Sequence, residues 1–409
     1  MQQTGTWSAR RALEYLLIAA LAVMPLLVTI RFRWAQLVIP IAAVPAIALI
    51  VVARTDHSAL IKQVRKRLRN PSVWLVLLFC LWFAITVAWA PDRAYAASIT
   101  LRAVGIAFGA AVIYFATTLV VFDRLVRPLL WTWTIAALAT IIMMLTDGAI
   151  HRRFGCCAGG MQADMTGSAM MLVLLLWPCA GWLFVKHRRK EAIILIALTC
   201  FIVSISGSGA SGLAIIAGLA TVVAGYWRPR IAITIPLGIL VSGFVVILVL
   251  GNLHSLMNAV AVLDSFTGFH SAERLRIWAA YTDLFWQRPW TGFGPGAERF
   301  LNSSVPRDVV VAGAAPDATR LHSHNLALQI LVQTGTLGAI IMVTAATIAT
   351  NQFLRNAAQP PPFATAPLSA YLAAGMVNFG VWEWWWLTLI LVAMIFAAGL
   401  PSVEKPTAA

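Results

Sequence analysis

The sequence predicts an all-α polytopic membrane protein, and three observations carry that prediction. Of its 409 residues, 60% are hydrophobic and only 11% charged, a balance outside the range of soluble globular domains. Apolar stretches of about 20 residues, the length that crosses a bilayer as a helix, recur along the whole chain. The Lys and Arg residues between them alternate in density, the pattern of loops sorted to two sides of a membrane.

Taken in order, the candidate spans fall near residues 13–30, 34–53, 72–90, 102–122, 128–146, 167–185, 192–206, 213–227, 231–251, 326–350, 367–385 and 387–400, about twelve in all. With the N-terminus cytoplasmic, the short inside segments hold eighteen Lys and Arg residues and the short outside loops six. Both termini are therefore expected in the cytoplasm. The chain divides into residues 1–251 (spans one to nine), an outside loop at 252–323, and 324–409 (spans ten to twelve). The net charge of +15 is read as this insertion signal plus contact with lipid headgroups, not as nucleic-acid binding. The first apolar run is of spanning length without a small-residue cleavage pattern, so no cleaved signal peptide is expected.

The connectors differ in content. Residues 54–71 are a basic cytoplasmic connector with a topological role. The outside loop DGAIHRRFGCCAGGMQADMTG (147–167) carries Arg152 and Arg153 where positive charge is disfavoured, which fits a headgroup anchor and an anionic-ligand site equally well. Cys156 and Cys157 are neighbours, a geometry that strains a disulfide. Cys80, Cys179 and Cys200 lie in apolar spans as small packing residues, and the five cysteines form no metal-ligand set. SISGSGASGL (204–213) reads as a tight turn or a place of close backbone approach.

The 252–323 loop is too long to be a plain connector. At its centre, Ser271 opens a helical pattern in which Arg274, Trp278, Tyr281 and Phe285 repeat at helical spacing. Gln287-Arg288-Pro289 stops it, and Thr291–Gly296 form a glycine-rich turn. One face is aromatic with an arginine at its leading end, so the helix is expected to lie on the outer membrane boundary, aromatic side down. Residues 302–323 lead directly into His324-Asn325-Leu-Ala-Leu-Gln-Ile-Leu-Val-Gln-Thr-Gly335-Thr-Leu-Gly338. On one continuous helix, Gly335 would fall within about 20° of His324 and roughly 16 Å deeper, placing a titratable ring above a glycine groove. Gln329 and Gln333 are polar inside the same span, where such groups usually face protein or a cavity. Further on, WEWWW (382–386) reads as an interfacial aromatic belt, with Glu383 available to pair with an outside arginine.

The outer face thus offers one placed histidine, arginines, glycines and aromatics, without paired carboxylates or metal-ligand spacing. Arginine clusters suit phosphate, which accepts bidentate hydrogen bonds from guanidinium. Within a membrane, that ligand class suggests a polyprenyl diphosphate. A histidine with a reference pKa of about 6.5 is neutral and basic at neutral pH and suits proton abstraction from an attacking hydroxyl; an amphipathic anchor is the alternative use.

His324-Asn325, nine residues, then Gly335-x-x-Gly338 resembles the signature of the O-antigen ligase and polymerase superfamily, which also holds protein O-oligosaccharyltransferases. Arg274-x-x-x-Trp278 followed by Pro289-Trp-Thr-Gly-Phe-Gly294 is similar to that family's loop segment. The resemblance implies a membrane fold like the C-type glycosyltransferases and a transfer that needs no metal or other cofactor. It implies His324 as catalytic base and Arg274 as the arginine meeting the lipid diphosphate. Arg153 and Arg276 are implied as helpers, with Asn325, Trp278, Gly335 and Gly338 lining the substrate site. The family's Asn-Pro-Asn is absent after Arg153, and Ser208-Gly-Ala-Ser stands where many members carry Ser-Arg-Gly. The implied activity is transfer of a glycan from undecaprenyl diphosphate to a lipid A-core sugar at the periplasmic face of the inner membrane. A polymerase or protein O-oligosaccharyltransferase shares these motifs; the chain's short C-terminal segment favours the ligase. From another class, a transporter of anionic glycolipids would also need arginines and a cavity, but would carry inverted repeats and mid-membrane charges.

Overall fold

A computed structural model describes residues 2–52, 69–146, 161–249, 271–299, 323–355 and 362–401, with isolated positions 62, 65 and 148. The described residues are helical, without strands. The helices are α1 (Gln2–Ala22), α2 (Met24–Ile30), α3 (Val38–Val52), α4 (Pro71–Ile85), α5 (Arg93–Thr117), α6 (Phe122–Leu145), α7 (Met161–Val185), α8 (Arg189–Ser206), α9 (Gly209–Trp227), α10 (Pro229–Val249), α11 (Ser271–Gln287), α12 (Leu326–Arg355), α13 (Pro362–Gly375) and α14 (Trp384–Ala398). Nine helical segments among the described residues are long and apolar enough to cross a membrane, and the chain is a multi-pass membrane protein. A satisfied backbone in hydrocarbon demands helices or a closed barrel, which is why an apolar sequence of this kind folds this way.

The bundle is built around α7. Its residues Ala169–Ala180 are buried on every face, as expected of a helix that is apolar all round and wholly enclosed. The predicted tight turn joins α8 to α9: Gly207 takes the left-handed conformation and the Ser208 side chain caps α9 by accepting from the Ser211 amide. Nothing lies within 4 Å of where a Gly207 side chain would begin, so this glycine serves the turn and no close approach.

Three expectations are corrected by packing. The stretch 367–385 is not one span: α13 ends at Gly375 and a turn at 376–383 precedes α14. The aromatic run is not a belt, because Trp385 and Trp386 are buried, Trp386 stacking on Tyr371 at 4.4 Å between ring centroids. Trp384 lies under the Arg102 guanidinium at 4.4 Å, and the acid beside it, Glu383, feels the charge of Arg33. Finally, the aromatic face of α11 does not rest on the membrane boundary. Tyr281 and Phe285 join the protein core, leaving Trp286 as the exposed ring of that helix.

Candidate functional site

The site is organised by a break in α12. Gly335 sits at φ +68°, ψ −175°, a backbone that side-chain-bearing residues rarely adopt, so the two halves of α12 are not one rod and the expected 16 Å register from His324 does not apply. The interrupted ladder is completed from outside. The amides of Phe293 and Gly294 donate to the carbonyls of Val332 (2.8 Å) and Gln333 (2.9 Å), and the amides of Thr336 and Leu337 donate to the carbonyls of Pro289 (2.7 Å) and Trp290 (3.3 Å). Trp82 Nε1 donates to the Thr334 carbonyl at 2.8 Å. The Pro289–Gly294 segment is therefore spliced into the helix, an irregular backbone tolerated because protein surrounds it. A side chain on Gly335 would strike the Trp290 carbonyl, and one on Gly338 would strike the Thr334 side chain and press on Trp82. Both glycines meet this chain's own atoms where the sequence suggested a smooth groove.

His324 stands just before α12 in a left-handed conformation, φ +50°, unusual for a residue with a side chain. Its neighbours fix the helix start: Asn325 caps α12 by accepting from the Leu328 amide at 3.0 Å, and Ser323 Oγ donates to the Asn325 carbonyl at 2.9 Å. Asn325 is buried, so its side chain has a structural occupation. The imidazole Nδ1 lies 2.8 Å from the backbone carbonyl of Asn378 in the 376–383 turn. A carbonyl only accepts, which assigns the proton of the neutral ring to Nδ1 and leaves the lone pair on Nε2. Burial lowers the His324 pKa from its ordinary value; the nearby positive charge of Arg274 pushes the same way, against the Asn378 hydrogen bond.

Arg274 lies in the first turn of α11 and is half-buried. The structure thus brings the two residues taken from sequence as catalytic close enough to interact. Trp278, one turn further along, has a buried indole N–H with no hydrogen-bond partner among the described residues, a donor in need of an acceptor. Arg276 lies on the same helix with its side chain outside the described residues. Arg153, Cys156 and Cys157 lie outside them altogether, as do 252–270 and 300–322 of the long loop.

Sequence reasoning missed Glu298, which follows the glycine turn and is buried. Its carboxylate accepts from Gln329 Nε2 at 2.7 Å and from Gln333 Nε2 at 2.7 and 2.6 Å. Burial raises its pKa while the two amides pull it back. Gln329 Oε1 in turn accepts from the Val381 amide at 2.8 Å, and Gln333 Oε1 accepts from Trp382 Nε1. Two glutamines one turn apart in an apolar span were the available signal, since buried polar groups need partners. Below this network a cavity of about 740 Å³ runs between α10, α12, α13 and α14, lined chiefly by apolar side chains from Leu326 and Ile330 to Phe353. Among the described residues no cluster of three or more His, Cys, Asp or Glu stands close enough to hold a metal ion.

Residues 192–343 match the O-Antigen ligase family. That match takes in α8 to α12, including His324 and Arg274, and bears out the resemblance carried by the short motifs. A "Putative polysaccharide ligase" of Rickettsia felis is 23% identical over 257 residues, covering 62% of each chain, and one of Rickettsia bellii is 23% identical over 236 residues, covering 55% of each. The matched stretches span less than two thirds of these relatives. No solved structure matches the chain. The stretches that carry the resemblance also form the splice: Pro289–Gly294 and Gly335 are the pieces that meet.

Proposed function

We propose that this protein is an O-antigen ligase, a membrane glycosyltransferase that moves a glycan from undecaprenyl diphosphate to a hydroxyl of lipid A-core. The observation that carries this reading is a histidine whose Nε2 keeps its lone pair, within reach of an arginine charge and beside an apolar cavity in a membrane bundle. His324 Nε2 takes the proton of the acceptor hydroxyl. The acceptor oxygen attacks the anomeric carbon from the face opposite the diphosphate, the bond from that carbon to the phosphate oxygen breaks, and configuration inverts. Arg274 holds the departing diphosphate, with Arg153 or Arg276 assisting, so that guanidinium groups meet the charge that develops. The apolar cavity accommodates part of the lipid tail, while the Trp278 indole N–H is offered to a polar substrate atom. In this reading the site faces the periplasm from the inner membrane and both termini are cytoplasmic.

The test is reconstitution in lipid with an undecaprenyl diphosphate-linked glycan and lipid A-core. Covalent glycan on the core is the expected product, lost in His324→Ala. Extension of one lipid-linked glycan by another would make the protein a polymerase, and movement of the donor without product a transporter. Wild-type ligation by His324→Ala at normal folding would remove the histidine from the chemistry.

A further inference from the structure

We propose that Glu298 is a positioning residue for His324, acting through Gln329, Gln333 and the 376–383 turn. The inference rests on the reading of His324 as the base. The turn supplies the Asn378 carbonyl that orients the imidazole, and three residues later it donates the Val381 amide to Gln329 Oε1 and the Trp382 indole N–H to Gln333 Oε1. Both donors on the turn are donors only. They fix which end of each glutamine faces them, so both Nε2 groups must point the other way. What stands there is the Glu298 carboxylate, an acceptor at both oxygens. The chain of bonds therefore has one consistent direction, from turn to glutamine to carboxylate.

Other anchors of the turn are the packing of Phe379 on Trp385 and Trp386 and of Trp382 on Phe83, and backbone hydrogen bonds such as Asn378 N to the Ala374 carbonyl at the end of α13, 3.1 Å. Aromatic packing holds a residue in place but sets no direction for the neighbouring carbonyl. The glutamines fix the far side of the turn, and Glu298 fixes the glutamines. Glu298 belongs to the segment that follows the splice, so it ties the long loop and the base into one frame. The groups that act on the pair electrostatically are Arg274 toward His324 and Tyr281 beside Glu298.

Glu298→Gln keeps size and shape but turns one acceptor into an amide facing the Gln333 amide, so one donor is left without an acceptor. The exchange variant Glu298→Gln with Gln333→Glu restores every bond: Gln329 Nε2 to residue 298, residue 298 Nε2 to the new carboxylate, and Trp382 Nε1 to the same carboxylate. The full-length protein in lipid discs is assayed for transfer, while diethyl pyrocarbonate labelling of the His324 peptide against pH reads the imidazole without any turnover.

Glu298→Gln should lower kcat about 10- to 100-fold, the usual effect of removing an outer partner of a catalytic group, with donor KM unchanged. It should also speed His324 labelling and move its midpoint toward that of an exposed histidine. The exchange variant should return both readouts to wild type. A folded Glu298→Gln with wild-type kcat and labelling would overturn the proposal, and so would loss of kcat with an unchanged labelling profile, which would make Glu298 a fold staple only. Should Glu298→Gln fail to fold, the exchange variant decides: folded but with altered labelling, it overturns the proposal. A wild-type protein without transferase activity but with the expected labelling differences would sink the base reading and leave the positioning geometry intact.

Discussion

Leu326–Thr334 and Thr336–Arg355 lie in one 30-residue helix and one apolar stretch of sequence, yet they answer to different surroundings. In the first half every residue is buried, including Gln329, Gln333 and Thr334. In the second, Leu337 is 39% and Ile340 52% exposed, facing out of the bundle. The polar groups differ as well: the first half donates to Glu298 and accepts from Val381 and Trp382, whereas Thr347 in the second donates back within its own helix, to the Val343 carbonyl at 2.8 Å. An apolar composition therefore serves as a peg seated in protein on one side of Gly335 and as an ordinary lipid-facing rod on the other.

The contrast can be broken most completely at the joint. Gly335→Val adds a side chain to a left-handed residue pressed on the Trp290 carbonyl; it should abolish the folded protein, seen as loss of the monodisperse peak in detergent. Next comes the ring at the buried end: His324→Ala should reduce transfer about 10²- to 10⁴-fold while the protein still folds, its loss of the Asn378 hydrogen bond showing only as a lower melting temperature. In the proposed mechanism the active form is the neutral ring, and burial holds its pKa below the ordinary 6.5, so wild-type activity should persist through pH 6.5 and fall only at lower pH; a limb above that value would contradict the assigned environment. The two halves can then be compared directly. Leu331→Ala should cost about 2 to 5 kcal/mol, the range for emptied core positions, while Ile340→Ala in the lipid-facing half should cost less than about 1 kcal/mol in a thermal or denaturant assay. Between these two falls Trp82→Phe, which leaves the Thr334 carbonyl without its indole donor and should cost about 1 to 3 kcal/mol without changing donor KM.

How much of this could be read beforehand follows the range of the forces involved. Nine of the roughly twelve expected spans have a helix of spanning length among the described residues, legible because hydropathy acts locally, and α11 was legible to its ends because its periodicity and its Pro289 stop are local too. The motif pair Arg274 and His324 was legible as a resemblance. The break at Gly335 was not, since a glycine in an apolar span reads equally as a helix-packing contact; the four backbone bonds with Pro289–Gly294 and the one from the Trp82 indole distinguish the two. Glu298 was hidden for a similar reason, lying 31 and 35 residues from its partners. The turn at 376–383 was masked by tryptophans, which extend a hydropathy window whether they face lipid or, as here, each other.

The splice also bears on how the molecule is made. Residues 289–294 leave the ribosome before 326–355, so the partners of Val332, Gln333, Thr334, Thr336 and Leu337 exist when α12 arrives but must already be waiting at membrane depth. Until they dock, five backbone groups near the middle of a span stay unmet in hydrocarbon, each at a penalty of several kcal/mol. Insertion of α12 and closure of the preceding loop should therefore be a single event during biogenesis, and a chain arrested between them would be a natural substrate for membrane quality control.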